Sequence, residues 1–67
     1  MSGSVSIGSR IREHRDALGM SQDELAQTCH VSRQTISSWE NGKTLPDIQS
    51  LALLAGIFDT GLEDLAA

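Results

Sequence analysis

Arg33, Gln34, Ser37, Ser38 and Asn41 bring guanidinium, amide and hydroxyl groups together within nine residues. Laid on a helix at about 100° per residue, Gln34, Ser37, Ser38 and Asn41 share one side, while Ile36, Trp39 and Glu40 share the other. The first side is polar but uncharged, whereas a merely solvated helix favours Glu and Lys, which are better helix formers than Ser and Asn. Arg33 stands in the first turn, where a cation opposes the helix dipole by roughly 0.3 to 1 kcal/mol. These are the groups that base edges of duplex DNA require: guanidinium pairs with guanine, a primary amide with adenine, and a hydroxyl with several donors or acceptors. The competing reading is an ordinary Ser-rich surface helix.

Other reactive side chains do not assemble into a site. Cys29 and His30 are sequence neighbours that point in different directions, and with His14 they offer no base, orienter and oxyanion donors. No catalytic residue, metal site, cofactor or small-molecule ligand is therefore expected, and the chain is not read as an enzyme. Asp23 and Glu24 are explained by helix capping. Glu40 differs, because a carboxylate on the buried side of a helix needs a partner. Arg15, beside the apolar stripe of an earlier helix, can supply one; the alternative is two exposed charges that never meet.

The elements that must position these groups are helical. Ile7, Ile11, His14 and Leu18 recur at three-to-four spacing, and Gly19 suits a helix stop. Ser21-Gln-Asp-Glu24 is a capping box opening a helix of about nine residues, whose inner face is Leu25, Ala26 and Cys29. His30-Val31-Ser32 is a short break, and Ser32 caps a third helix running to Asn41, with Gly42 at its end. Pro46 suits the first turn of a fourth helix, with an apolar stripe of Ile48, Leu51, Leu54, Ala55 and Phe58. A last turn or two spans Leu62 to Leu65 after Gly61. Residues 1–6, rich in Ser and Gly, read as a disordered arm before a domain at 7–65.

At 67 residues, with 39% apolar and 21% charged side chains, the chain holds one small all-α domain. A chain of this size buries only about 60% of its unfolded surface, so the bundle has to be compact. One cysteine, Cys29, excludes an intramolecular disulfide and a zinc site built on cysteines alone. No apolar run reaches the roughly 18 residues of a membrane span, and residues 1–9 lack the pattern of a signal peptide, so no membrane contact and a cytoplasmic location are expected. The net charge of -4 is unevenly spread. All five basic residues (Arg10, Arg12, Arg15, Arg33 and Lys43) lie within residues 1–43, where five acids balance them; residues 44–67 carry four acids and no base. A phosphate-facing surface therefore belongs to the first two thirds, where Arg10 and Arg12 are further candidate cations.

Ser21-Gln-Asp-Glu-Leu-Ala26, Val31-Ser-Arg-Gln-Thr-Ile-Ser37 and Trp39-Glu-Asn-Gly-Lys-Thr-Leu-Pro46 together resemble the XRE/Cro-type helix-turn-helix family, the lambda-repressor-like DNA-binding domains. The resemblance covers about Ile7 to Leu65 and implies a compact bundle of five short helices, the second and third forming the helix-turn-helix. It further implies a transcriptional regulator of repressor type that binds double-stranded DNA. Arg33, Gln34 and Ser38 would face bases, Gln22, Ser32, Asn41, Lys43 and Thr44 would approach the DNA backbone, and Arg15 would pair with Glu40. The alternative is a protein-interaction module on the same fold, such as an antitoxin. The chain departs from the family at His14, Cys29, His30, Asp59 and Gly61; His30 would occupy a left-handed turn, and Gly56 within the fourth helix costs about 1 kcal/mol relative to Ala. One domain reads only a few base pairs, so a homodimer on DNA is expected, monomeric or weakly associated in free solution, with Leu62 and Leu65 both used to cover the core.

Overall fold

A computed structural model describes residues 6–66 of the chain. Five helices follow one another, α1 (Ile7–Ala17), α2 (Gln22–Cys29), α3 (Arg33–Glu40), α4 (Ile48–Phe58) and α5 (Leu62–Ala66), with no strand among the described residues. Each helix places one aliphatic side chain fully out of solvent: Ile11, Leu25, Ile36, Leu54 and Leu65. Burial of such a side chain stabilises by about 1.5 to 3 kcal/mol, so every helix has its own reason to join the core. Ala26, Cys29, Trp39, Ala55 and Phe58 complete it. His14 of α1 stacks on Phe58 of α4 with ring centroids 5.0 Å apart and planes 14° from parallel. Burial of Cys29 pushes its thiol pKa up and makes it a poor nucleophile.

Side-chain caps set the helix starts. Ser21 Oγ accepts from the Glu24 amide at 3.0 Å while Glu24 Oε1 accepts from the Ser21 amide at 2.8 Å, completing the expected capping box. Ser32 Oγ accepts from the Thr35 amide at 3.1 Å and caps α3. The turn between these helices depends on His30, which takes φ 61° and ψ 39°, the left-handed conformation anticipated for it. Gly19 (φ 70°) and Gly42 (φ 76°) follow α1 and α3, where their positive φ costs no steric strain.

Several expectations need correction. Pro46 lies outside α4: Asp47 caps this helix by accepting from the Ser50 amide at 2.8 Å, so Pro46 packs, buried, just before the cap. Ile48 is not part of the inner stripe but 69% exposed, and Leu18, the C-cap of α1, is exposed as well. Leu65 covers the core, but Leu62 is exposed. Ser6, assigned to the arm, is the N-cap of α1 and accepts from the Ser9 amide at 3.1 Å; the rest of the expected arm lies outside the described residues.

Candidate nucleic-acid interface

The positioning of α3 starts from its buried side. Ile36 and Trp39 enter the core, and the Glu40 side chain, only 3% exposed, turns inward beside them. Arg15 meets it side-on: Nε donates to Glu40 Oε2 at 2.7 Å and Nη2 to Oε1 at 3.2 Å, the two-pronged geometry that suits guanidinium to carboxylate. Arg15 Nη1 also donates to the Met20 carbonyl at 2.7 Å. The hydrogen bond to Glu40 raises the Arg15 pKa above its ordinary value even though burial opposes the charge. The buried pair expected from the sequence is present.

Fixing this side fixes the other. Arg33 and Gln34 are exposed at the start of α3, Ser37 and Ser38 are half-buried along its flank, and Asn41 is the exposed C-cap, with Nδ2 donating to Ser37 Oγ at 3.3 Å. The chain then turns back: the Lys43 and Thr44 amides donate to the Ser38 carbonyl at 2.9 and 3.4 Å, holding the loop that carries both exposed side chains. Ser32 is exposed but its hydroxyl is engaged by the cap and by Thr35 Oγ1 at 2.9 Å. Among the described residues no carboxylate lies within ion-pair distance of Arg33 or Lys43. The geometry thus brings Arg33, Gln34, Ser38 and Asn41 to one outer face of α3, bounded by Ser32 at its start and by Lys43 and Thr44 after its end.

Gln22, expected to approach the DNA backbone, also has a partner within the protein. It is the first residue of α2, half-buried, and its Nε2 donates to Glu40 Oε1 at 3.1 Å. A signal for this existed in the sequence: a buried carboxylate has about four lone-pair sites, and one guanidinium fills only part of them. Arg10 is likewise committed elsewhere, donating from Nη1 to the Asp64 carbonyl of α5 at 2.9 Å. Arg12 is exposed and only loosely paired with Asp16 at 3.9 Å. Among the described residues no group of His, Cys, Asp and Glu is disposed to hold a metal ion, and no helix is long and apolar enough to cross a membrane.

This arrangement, two capped helices joined by a tight left-handed turn with the second showing a polar face uncharged but for Arg33, is that of a helix-turn-helix. The helix-turn-helix family model matches residues 11–65. An uncharacterized HTH-type transcriptional regulator of Archaeoglobus fulgidus is 43% identical over 56 residues, covering 84% of this chain and 80% of that protein. The HTH-type transcriptional activator BcrR of Enterococcus faecalis is 30% identical over 61 residues; the match takes in 91% of this chain but 30% of BcrR, so the chain spans less than a third of that relative. The P22 c2 repressor, solved in complex with a synthetic operator, superposes with a TM-score of 0.89 at 30% identity, covering 94% of this chain and 96% of that one. The chain belongs to the helix-turn-helix family, in its XRE, lambda-repressor-like branch.

Proposed function

We propose that this domain regulates transcription by binding double-stranded DNA sequence-specifically, with α3 in the major groove. The observation that carries the reading is the outer face of α3, uncharged except for Arg33 at its start and held in place by the buried Arg15–Glu40 pair. Arg33, Gln34 and Ser38 face base edges, as their donor and acceptor groups suit. Gln22, Ser32, Asn41, Lys43 and Thr44 contact the DNA backbone, which sets register without reading sequence. The P22 c2 repressor complex and the regulators that the chain resembles support the DNA-binding reading. The activity is binding and not catalysis, and it belongs in the cytoplasm with the DNA. Two copies pair on a two-fold operator with half-sites about 10 base pairs, or a multiple, apart, while the free domain is monomeric or weakly associated.

Random-site selection followed by titration at several salt concentrations tests this. A single preferred two-fold sequence is expected, with log affinity falling by approximately 0.9 per phosphate neutralised for each tenfold rise in salt. The slope is modest because Arg33 and Lys43 supply few cations. Equal affinity for every duplex, or affinity indifferent to salt, would reject DNA reading in favour of a protein partner. A selected site without two-fold symmetry would reject the pairing, and sedimentation showing a tight nanomolar dimer would reject the solution state.

A further inference from the structure

The proposed DNA contacts come from α2, α3 and the loop after α3, and one buried side chain joins the two helices. Glu40, in the last turn of α3, accepts at Oε1 from both Arg15 Nη2 and Gln22 Nε2, and at Oε2 from Arg15 Nε. Arg15 also holds the carbonyl of Met20, two residues before Gln22. Three segments therefore meet at one carboxylate, α1, the start of α2 and the end of α3, and Arg15 ties in the turn after α1 through the Met20 carbonyl. We infer that Arg15 and Glu40 are positioning residues for DNA binding, holding Gln22 in its phosphate-contacting place before DNA arrives and locking it to the base-reading helix. This rests on the DNA-binding reading above.

The chemistry of the node supports that role. A carboxylate next to a phosphate-contacting side chain would repel the phosphate, but the two-pronged guanidinium neutralises Glu40 at its source. The Gln22 amide group has two N–H bonds; one is used on Glu40, leaving the other to donate to a phosphate oxygen. A free Gln side chain must be immobilised when it binds, and ordering one such side chain weakens association by about 2- to 10-fold. Tethering to Glu40 removes that penalty in advance. It also makes the α2 and α3 contacts geometrically dependent on each other, because Gln22 cannot move independently of the end of α3.

Stabilisation and positioning can be separated, since replacing a buried ion pair by apolar residues of similar size often leaves stability unchanged or raised. The protein carrying Arg15→Met together with Glu40→Leu should keep its melting temperature or exceed it, yet bind the selected operator about 2- to 10-fold more weakly. Base preference should be retained. Gln22→Ala should then cost clearly less affinity in this background than in the parent, measured where circular dichroism shows every variant folded. Unchanged affinity in the folded double variant, or an equal cost of Gln22→Ala in both backgrounds, overturns the proposal. Should the double variant not fold, nitrogen relaxation of the Gln22 side-chain amide in the free parent decides. An order parameter near 0.85 is expected, and one below about 0.6 overturns the tether. Failure of the parent to bind any duplex overturns the DNA reading itself, whereas binding by the parent with no response at Gln22 overturns only the positioning role.

Discussion

α3 and α4 are neighbours in the chain and opposites in surface. α3 hides Ile36 and Trp39, anchors Glu40 on Arg15, and shows solvent a row of amide and hydroxyl groups with Arg33 at its head. α4 has no charged residue from Ile48 to Phe58, buries Leu54, Ala55 and Phe58, and leaves Ile48, Gln49, Ala52, Leu53 and Gly56 outside. A helix that is apolar nearly all round gives packing no unique face to choose. In α3 the buried carboxylate does the choosing, because only one rotation of the helix gives it a cation. The rotation of α3 is thereby fixed without help from exposed Arg33 and Gln34.

Removing one member of the anchor should produce the largest effect. Arg15→Ala or Glu40→Ala leaves the other charge nearly buried, with side-chain exposures of 12% and 3%, and should destabilise by about 3 to 5 kcal/mol in urea denaturation. Ile48→Ser, on the outer face of α4, should stay within about 0.5 kcal/mol of the parent. A double-mutant cycle without coupling between Arg15 and Glu40 would break the contrast, as would a large loss at Ile48.

The recognition side of the comparison is next in size. Arg33→Ala and Gln34→Ala should each relax preference at particular operator positions by roughly 1 to 3 kcal/mol for each two-pronged pairing with a base that is removed, measured against single-base variants of the selected site. Gln22→Ala should weaken all sequences alike. Gln49→Ala, an exposed amide on α4, should change neither affinity nor preference. Sequence discrimination residing at Gln22, with Gln34 neutral, would place the DNA on the wrong face.

Two glycines sharpen the same division. Gly8 of α1 is buried, and a Cβ there would run into the backbone carbonyl oxygens of Trp39 and Glu40 at the end of α3. Neither oxygen can swing aside as a side chain could, so Gly8→Ala should push α1 away from α3 and cost about 1 to 3 kcal/mol. Gly56 of α4 faces open space. Gly56→Ala should therefore stabilise, by up to about 1 kcal/mol from helix propensity alone. Thermal melts of the two proteins should move in opposite directions; matching shifts would mean that α1 has room to adjust.

The same contrast explains what the residues reveal by themselves. The α2–α3 unit is legible because its devices are local and polar, the Ser21–Glu24 capping box and the Ser32 cap, while the left-handed His30 is implied by the resemblance. The buried Glu40 is legible because its burial demands a cation, and the resemblance points to Arg15. The resemblance gives Gln22 a DNA-backbone contact; a buried Glu40 asks for a further donor, but the link to the residue that supplies it spans 18 positions and depends on how α2 meets α3. Gly8 carries no signal, because nothing local requires a glycine there. In α4, a continuous apolar run leaves the rotation undecided, so the spacing alone puts Ile48 inside, and it draws Pro46 into a helix that Asp47 caps one residue later.

The smallest expected difference concerns the caps themselves. α3 is capped by a hydroxyl, Ser32, which does not titrate, whereas α4 is capped by the exposed carboxylate of Asp47. The hydrogen bond from Ser50 lowers the Asp47 pKa below its ordinary value, so the folded protein holds this proton less readily than the unfolded chain. The sign follows directly: the cap's contribution is complete above the usual aspartate pKa of about 3.9 and is lost as pH falls through the lower folded value. Amide exchange read between about pH 6 and pH 2, short of global unfolding, should show the Ser50 amide losing protection at the acid end while the Thr35 amide keeps its own. Asp47→Asn, which retains a good capping side chain but cannot ionise, should flatten the Ser50 response. Parallel loss at Ser50 and Thr35 would show that acid acts on the whole bundle and that the two caps, unlike the two helix faces they start, are not independent.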